Sequence, residues 1–229
     1  MTSNNRKVWI RIAALYVSIP FVLLVCGGDF GWWQAWGYSL LLVAVGGGGH
    51  IWAERQHPGL MAERQNTEKF QGAKAWDKVL APLMALSISF PLPIVAGLDH
   101  RFVWSPAFPL WLIVLGFILT ALGYAFAVWA MAENRFFSSV VRIQADRGHA
   151  VCDSGPYRLV RHPGYAGNIP PLLGIVLALG SVWALIPAVA ALIIAVVRTA
   201  LEDQTLQEEL LGYRDYARRV CYRLIPGIY

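Results

Sequence analysis

The sequence predicts an all-α integral membrane protein with about six transmembrane helices, the last two a short C-terminal hairpin, and both termini on the cytoplasmic side. Three observations predict it. Hydrophobic residues make up 57% of the 229 and charged residues 14%, whereas about a quarter of a soluble domain is charged; the mean hydropathy is +0.49. Uncharged runs cover 12 to 28, 30 to 53, 79 to 98, 102 to 132 and 162 to 197, and a helix needs about 20 apolar residues to cross about 30 Å of hydrocarbon. With six spans threaded from an inner N-terminus, all of the 19 Lys and Arg except Arg101 fall on the inner side, as the positive-inside rule requires.

The first run is of marginal length and follows Arg6, Lys7 and Arg11; it lacks the small-residue cleavage site of a signal peptide. The second contains Gly46 to Gly49 and His50, where no strand precedes and no lysine follows, so close helix packing explains the glycines better than a phosphate cradle. Arg55, Arg64, Lys69, Lys74 and Lys78 then form an inner loop ahead of the third run, and the fourth ends at Glu133. The last run, as one helix at about 1.5 Å per residue, would overshoot the bilayer by more than about 20 Å. Gly180-Ser181 lies in its middle, so spans over 165 to 180 and 183 to 199 are expected, with Pro170, Pro171 and Pro187 near their starts.

The net charge of +5 belongs to inner loops beside anionic headgroups and implies no nucleic-acid partner. The three cysteines are odd in number and two lie in inner segments, so no disulfide is expected. No set of His, Cys or carboxylate at metal-ligand spacing surrounds His50 or His57, and no metal is expected.

The chain divides in character at residue 132. Residues 1 to 132 are a four-span region with sparse chemistry. Residues 133 to 229 carry a long inner segment, "ENRFFSSVVRIQADRGHAVCDSGPYRLVRHPGY", and a second polar cluster where the last span emerges, in which Arg198 and Glu202 stand four apart on one helix face. Both clusters lie on the inner side and build one site at the membrane interface.

"GPYRLVRHPGYAG", a short hydrophobic hairpin, then Arg198, Glu202-Asp203 and Leu206, and "GYRDYARRV" together resemble the isoprenylcysteine carboxyl methyltransferase family and its phospholipid methyltransferase relatives over about 133 to 229. The resemblance implies an integral membrane enzyme that uses S-adenosylmethionine without a Rossmann domain and methylates a lipid or a lipidated small molecule or protein. It places cofactor contacts at His149, Ala150, Val151, Cys152, Tyr157, His162, Pro163, Gly164, Tyr165 and Glu202. Arg198, the catalytic candidate, matches the position that meets the acceptor's polar end.

The residue chemistry suits these roles. A sulfonium amino acid with an adenosyl group needs donors for a carboxylate, an acid for an ammonium and aromatic faces. His162 and the amides at a helix start serve the first, Glu202 the second, Tyr157 or Tyr165 the third. Two departures from the family pattern stand out. Its usual Glu-Glu pair is Glu202-Asp203 here, and a pocket glutamine of the lipidated-protein enzymes aligns nearer Arg142, with Gln144 two residues on. Rival readings are an NADPH-dependent sterol-reductase-like enzyme, disfavoured by the lack of basic residues in "HAVCDSGPY", and a transporter or sensor, disfavoured by the uncharged spans. The acceptor itself, O- or N-methylated, is not legible.

Overall fold

The computed structural model describes residues 3 to 65 and 72 to 229; Lys69, counted above among the inner basic residues, lies outside them. The described residues form helices and turns only. α1 (Ser3–Gly27) ends at Gly28, whose φ of 64° only glycine adopts cheaply. α2 (Trp33–Leu41), a π-helical segment (Leu42–Gly47) and α3 (Gly48–Gln56) run on as one rod. α4 (Leu60–Arg64) is capped by Glu54, whose carboxylate accepts the Gly59 and Met61 N–H groups at 2.8 and 2.9 Å.

The third predicted span is two helices, α5 (Asp77–Ser89) and α6 (Pro91–Phe102), because Pro91 lacks the N–H that would continue the first. The fourth, α7 (Leu110–Glu133), starts eight residues later than 102, after an extended stretch containing Pro106 and Pro109. The hairpin is α8 (Pro163–Leu179) and α9 (Leu185–Glu209). Gly180, at φ 67°, ends α8 with the amides of Gly180 and Ser181 donating to the carbonyls of Leu177 and Val176. α9 runs ten residues past the expected boundary at 199, its C-terminal end carrying polar groups beyond the apolar stretch. Arg6–Gly27, Asp77–Phe102, Leu110–Glu133 and Leu185–Glu209 are each long and apolar enough to cross a bilayer, and Pro163–Leu179 is a shorter apolar helix.

α7 and α8 pack backbone against backbone. A Cβ added at Gly116 would sit 2.3 Å from the Ala178 nitrogen, at Gly123 2.3 Å from Pro171 Cδ, at Gly167 2.5 Å from the Ala127 nitrogen and at Gly174 2.4 Å from Thr120 Oγ1. The partners descend along α8 as positions ascend along α7, so the helices are antiparallel and small residues set their spacing. Gly46 and Gly49 serve the same purpose against Tyr16 and Val128, while Gly48 faces open space. At the end remote from the site, Asp99 accepts the Ser105 amide at 2.7 Å, the Ser105 hydroxyl at 2.6 Å and the Ser181 hydroxyl, tying the α8–α9 turn to α6. The main core, including Leu23, Ala35, Leu92, Ile175 and Ala191, is shared by α1, α2, α6, α8 and α9.

Candidate active site

Between α7 and α8 the chain leaves regular structure and folds over the N-terminal end of α8 and the C-terminal end of α9. Two short 3₁₀ turns, Ala145–Arg147 and Gly155–Arg158, bracket an extended strip. Gln144 is buried and anchors the first, its Nε2 donating to Phe136 O at 2.7 Å and its Oε1 accepting from Arg147 at 2.6 Å. The amides of Ala150, Val151 and Cys152 donate to no described residue, which leaves three donors for something else. α10 (Tyr213–Arg219) closes the far wall with Tyr213 and Tyr216, packed with Tyr157 and Leu210.

Two buried ion clusters hold this architecture. The first centres on Asp203, fully buried. It takes Arg161 at 2.7 and 3.0 Å, Arg223 at 3.0 Å, His162 at 3.1 Å, the Tyr213 hydroxyl at 3.1 Å and Gln207 at 2.7 Å. Arg161 also donates to the carbonyls of Val220 and Cys221 at 2.8 Å, while the amides of Arg161 and His162 donate to the carbonyls of Tyr222 and Arg223. The segment from 220 to 223 is therefore sewn to the turn that starts α8. In the second cluster Arg198 grips Asp77, at 2.6 and 3.0 Å, and the Ser139 carbonyl at 2.8 Å; Asp77 also accepts the Val141 amide at 2.6 Å. Arg198 Nη1 bonds no described residue.

These clusters enclose a cavity lined by His149, Ala150, Val151, Cys152, Tyr157, His162, Tyr165, Arg198 and Glu202. Eleven residues were expected at the site, and those nine share this space. Gly164 instead faces an adjoining cavity, where Tyr165, Arg198 and Glu202 also appear; Pro163, buried at the first position of α8, lines neither. Arg142 and Gln144, which the alignment left undecided, both line the main cavity, and Arg142 is paired with Glu63 and Asp146.

Glu202 is the one carboxylate lining the cavity among the described residues. Its Oε2 accepts the Tyr165 hydroxyl at 2.7 Å, and its Oε1 meets no donor among the described residues. It does not pair with Arg198, although the two share a helix face; Asp77 has taken that arginine. His162 turns its Nε2 to Asp203 and Tyr213, so it borders the cavity with that nitrogen already engaged. The second acid of the Glu202-Asp203 pair is thus the structural one.

Two loop residues of the lining, His149 and Cys152, are held uncharged. Burial, aided by the guanidinium groups of Arg142 and Arg147, pulls His149 down to about 4, and its Nδ1 accepts the Gln144 amide at 3.2 Å, leaving the proton on Nε2. Burial pushes the Cys152 thiol up, against hydrogen bonds from Ser154, so it is a thiol rather than a nucleophilic thiolate at neutral pH. Burial would lower Arg161, but the Asp203 carboxylate more than offsets it and holds it up.

Sequence reasoning missed Asp77. It is an acid at the edge of an apolar run whose partner lies 121 residues away; its only local signal is a carboxylate where a basic loop meets that run.

Residues 111–211 match the model of a family described as phospholipid methyltransferase, in agreement with the resemblance carried by the Arg161 to Tyr165 motif. The match covers α8, α9, all of α7 but its first residue, and the loop between α7 and α8. No curated protein matches the chain.

Proposed function

We propose, taking as premise the match of residues 111–211 to the phospholipid methyltransferase family model, that this membrane protein is an S-adenosylmethionine-dependent methyltransferase. Its acceptor is lipophilic, a carboxylate of the isoprenylcysteine type or a related lipid, and its active site faces the cytoplasm. The observation that carries this reading is the pairing, across one cavity, of a single carboxylate with a free oxygen and a strip of unpaired backbone amides.

That donor set fits the cofactor. Glu202 would take its ammonium, the amides of Ala150 to Cys152 its carboxylate, and Tyr157, Tyr213 and Tyr216 offer aromatic surface to the adenosyl group. The bound cofactor supplies a methyl group activated by its sulfonium. Arg198 keeps Nη1 for the acceptor's polar end while Asp77 fixes the rest of its guanidinium. A carboxylate acceptor needs no general base, so alignment and exclusion of water by the tyrosines and leucines are the chain's contribution; an amine acceptor would first have to lose a proton.

The test is titration of S-adenosylmethionine into the purified protein and into Glu202→Gln. Binding by the wild type, weakened about tenfold or more by the substitution, is expected. Binding unchanged in the variant would defeat the assignment, and binding of NADPH in place of S-adenosylmethionine would favour the reductase.

A further inference from the structure

The arginine Arg64 stands out on the inner side of the molecule. Its backbone carbonyl accepts the Ser139 hydroxyl at 2.7 Å, but its guanidinium has no hydrogen bond or ion pair with any described residue, and Nη1 is sealed from solvent. Its one close partner is an aromatic face: Cζ lies 4.8 Å over the Phe137 ring. Burial, with Arg198 adding a like charge and Tyr16 opposing, lowers Arg64 to about 10. Arg64 is half-buried, and a cation whose sealed N–H group finds no counter-ion among the described residues is unfavourably placed; Arg161 and Arg198, by contrast, are buried and each have an aspartate.

Arg64 stands where two cavities meet. One lies among α1, α2, the π-helical segment and α7, walled by Ile19, Leu42 and Met131, with Tyr16, Tyr38 and Tyr124 among them. Its polar groups have partners close at hand: Tyr16 bonds His50 Nδ1 at 3.0 Å, and that nitrogen also lies 2.8 Å from Gly46 O. The π-helical segment contributes Leu42 and Gly46 to its wall, and such segments recur at functional sites. The other cavity joins Arg64 to Tyr165, Arg198 and Glu202, at the edge of the candidate active site. Phe137 borders all three spaces. An apolar chamber thus ends in a cation unpaired among the described residues, beside the proposed methyl-transfer site.

We infer that Arg64 is the docking point for the negatively charged head of the lipophilic acceptor, whose tail lies in the tyrosine-lined chamber among α1, α2 and α7. The ligand is a single-chain amphiphile with a carboxylate head. The inference deepens the proposed function and rests on it for the identity of the ligand as acceptor. It adds a specificity-determining residue from the half of the chain outside the matched segment: Arg64 selects for the anion and Arg198 Nη1 meets it from the other side.

The experiment uses the full chain in phosphatidylcholine nanodiscs, with hexadecanoic acid labelled by a fluorophore at the tail end and the methyl ester of the same probe. The wild type should bind the acid about tenfold or more tightly than the ester. Arg64→Met should bring the acid down to the level of the ester and leave the ester unchanged, and Arg64→Lys should restore part of the preference. Both variants should unfold at or above the wild-type temperature, since a half-buried charge with no partner among the described residues has been removed or moved. Equal binding of acid and ester by the wild type, or an acid preference that survives Arg64→Met, would overturn the inference. Competition by hexadecyl phosphate weaker than by unlabelled hexadecanoic acid supports the carboxylate head; stronger competition keeps the anion site but overturns the carboxylate. S-adenosylmethionine is titrated separately. If it fails to bind while the acid preference holds, the methyltransferase reading falls and the anion site stands; if it binds while the preference is absent, the reverse follows.

Discussion

Arg198 is bound so firmly to Asp77 that its removal should register first as a loss of stability. Asp77 is fully buried and accepts three hydrogen bonds, two of them from Arg198. Arg198→Met leaves that carboxylate with only the Val141 amide, and stranding one member of a buried ion pair costs about 3–5 kcal/mol. At about 2–4 °C per kcal/mol for a chain of this size, the unfolding temperature should fall by roughly 6–20 °C. Asp77→Leu should cost a similar amount by stranding Arg198. The double variant removes both charges, so its loss should shrink to the unpaired Val141 amide, about 1–3 kcal/mol. Thermal unfolding of the four proteins in one detergent, each with and without S-adenosylmethionine, closes the cycle. A double variant as destabilised as the sum of the singles would refute the reasoning, because it would mean that the two groups do not depend on each other.

Gly123→Leu should abolish recovery of monodisperse protein on size exclusion, since its Cβ would lie 2.3 Å from Pro171 Cδ and 2.6 Å from the Gly167 carbonyl; Gly48→Leu, with nothing within 4 Å, should be tolerated. His149 is held neutral in the fold, lowered from 6.5 to about 4. Its contribution to stability is complete above pH 6.5 and is lost as pH falls toward 4; unfolding temperatures across that window should drop in the wild type and drop less in His149→Gln. A cysteine placed at Ser138 should react with an impermeant maleimide from the cytoplasmic side only, and labelling from the outside would reverse the orientation on which the positive-inside argument rests.

The helices were legible because apolar runs and punctuating residues are local signals. Gly180 marks the end of α8, and Pro106 and Pro109 explain why α7 begins late once the extended stretch is seen. The site was legible where spacing carried it: Arg198 and Glu202 are four apart, and the Arg161 to Tyr165 motif sits at a helix start. What joins these pieces was not. Asp203 draws in Arg161 from 42 residues away and Arg223 from 20, and Asp77 reaches Arg198 across 121; periodicity within one element cannot encode a partner in another. Arg198 and Glu202 share a helix face without pairing, because a bidentate carboxylate in a dry site outcompetes a neighbour one turn away.

The seam between α7 and α8 bears on how the chain enters the membrane. At about 1.5 Å per residue, the 17 residues of α8 reach roughly 25 Å, short of the ~30 Å hydrocarbon layer, and Pro170 and Pro171 each remove a backbone donor. Most of its residues are buried against other helices, with Leu173 among the few that face outward. Lipid therefore contributes little to holding it; α7 does. For α1 or α7, insertion into the bilayer and packing are separable events, whereas for α8 they coincide. Disturbing the glycine seam should leave α8 outside the bilayer, reachable by protease, rather than inserted and loosely packed.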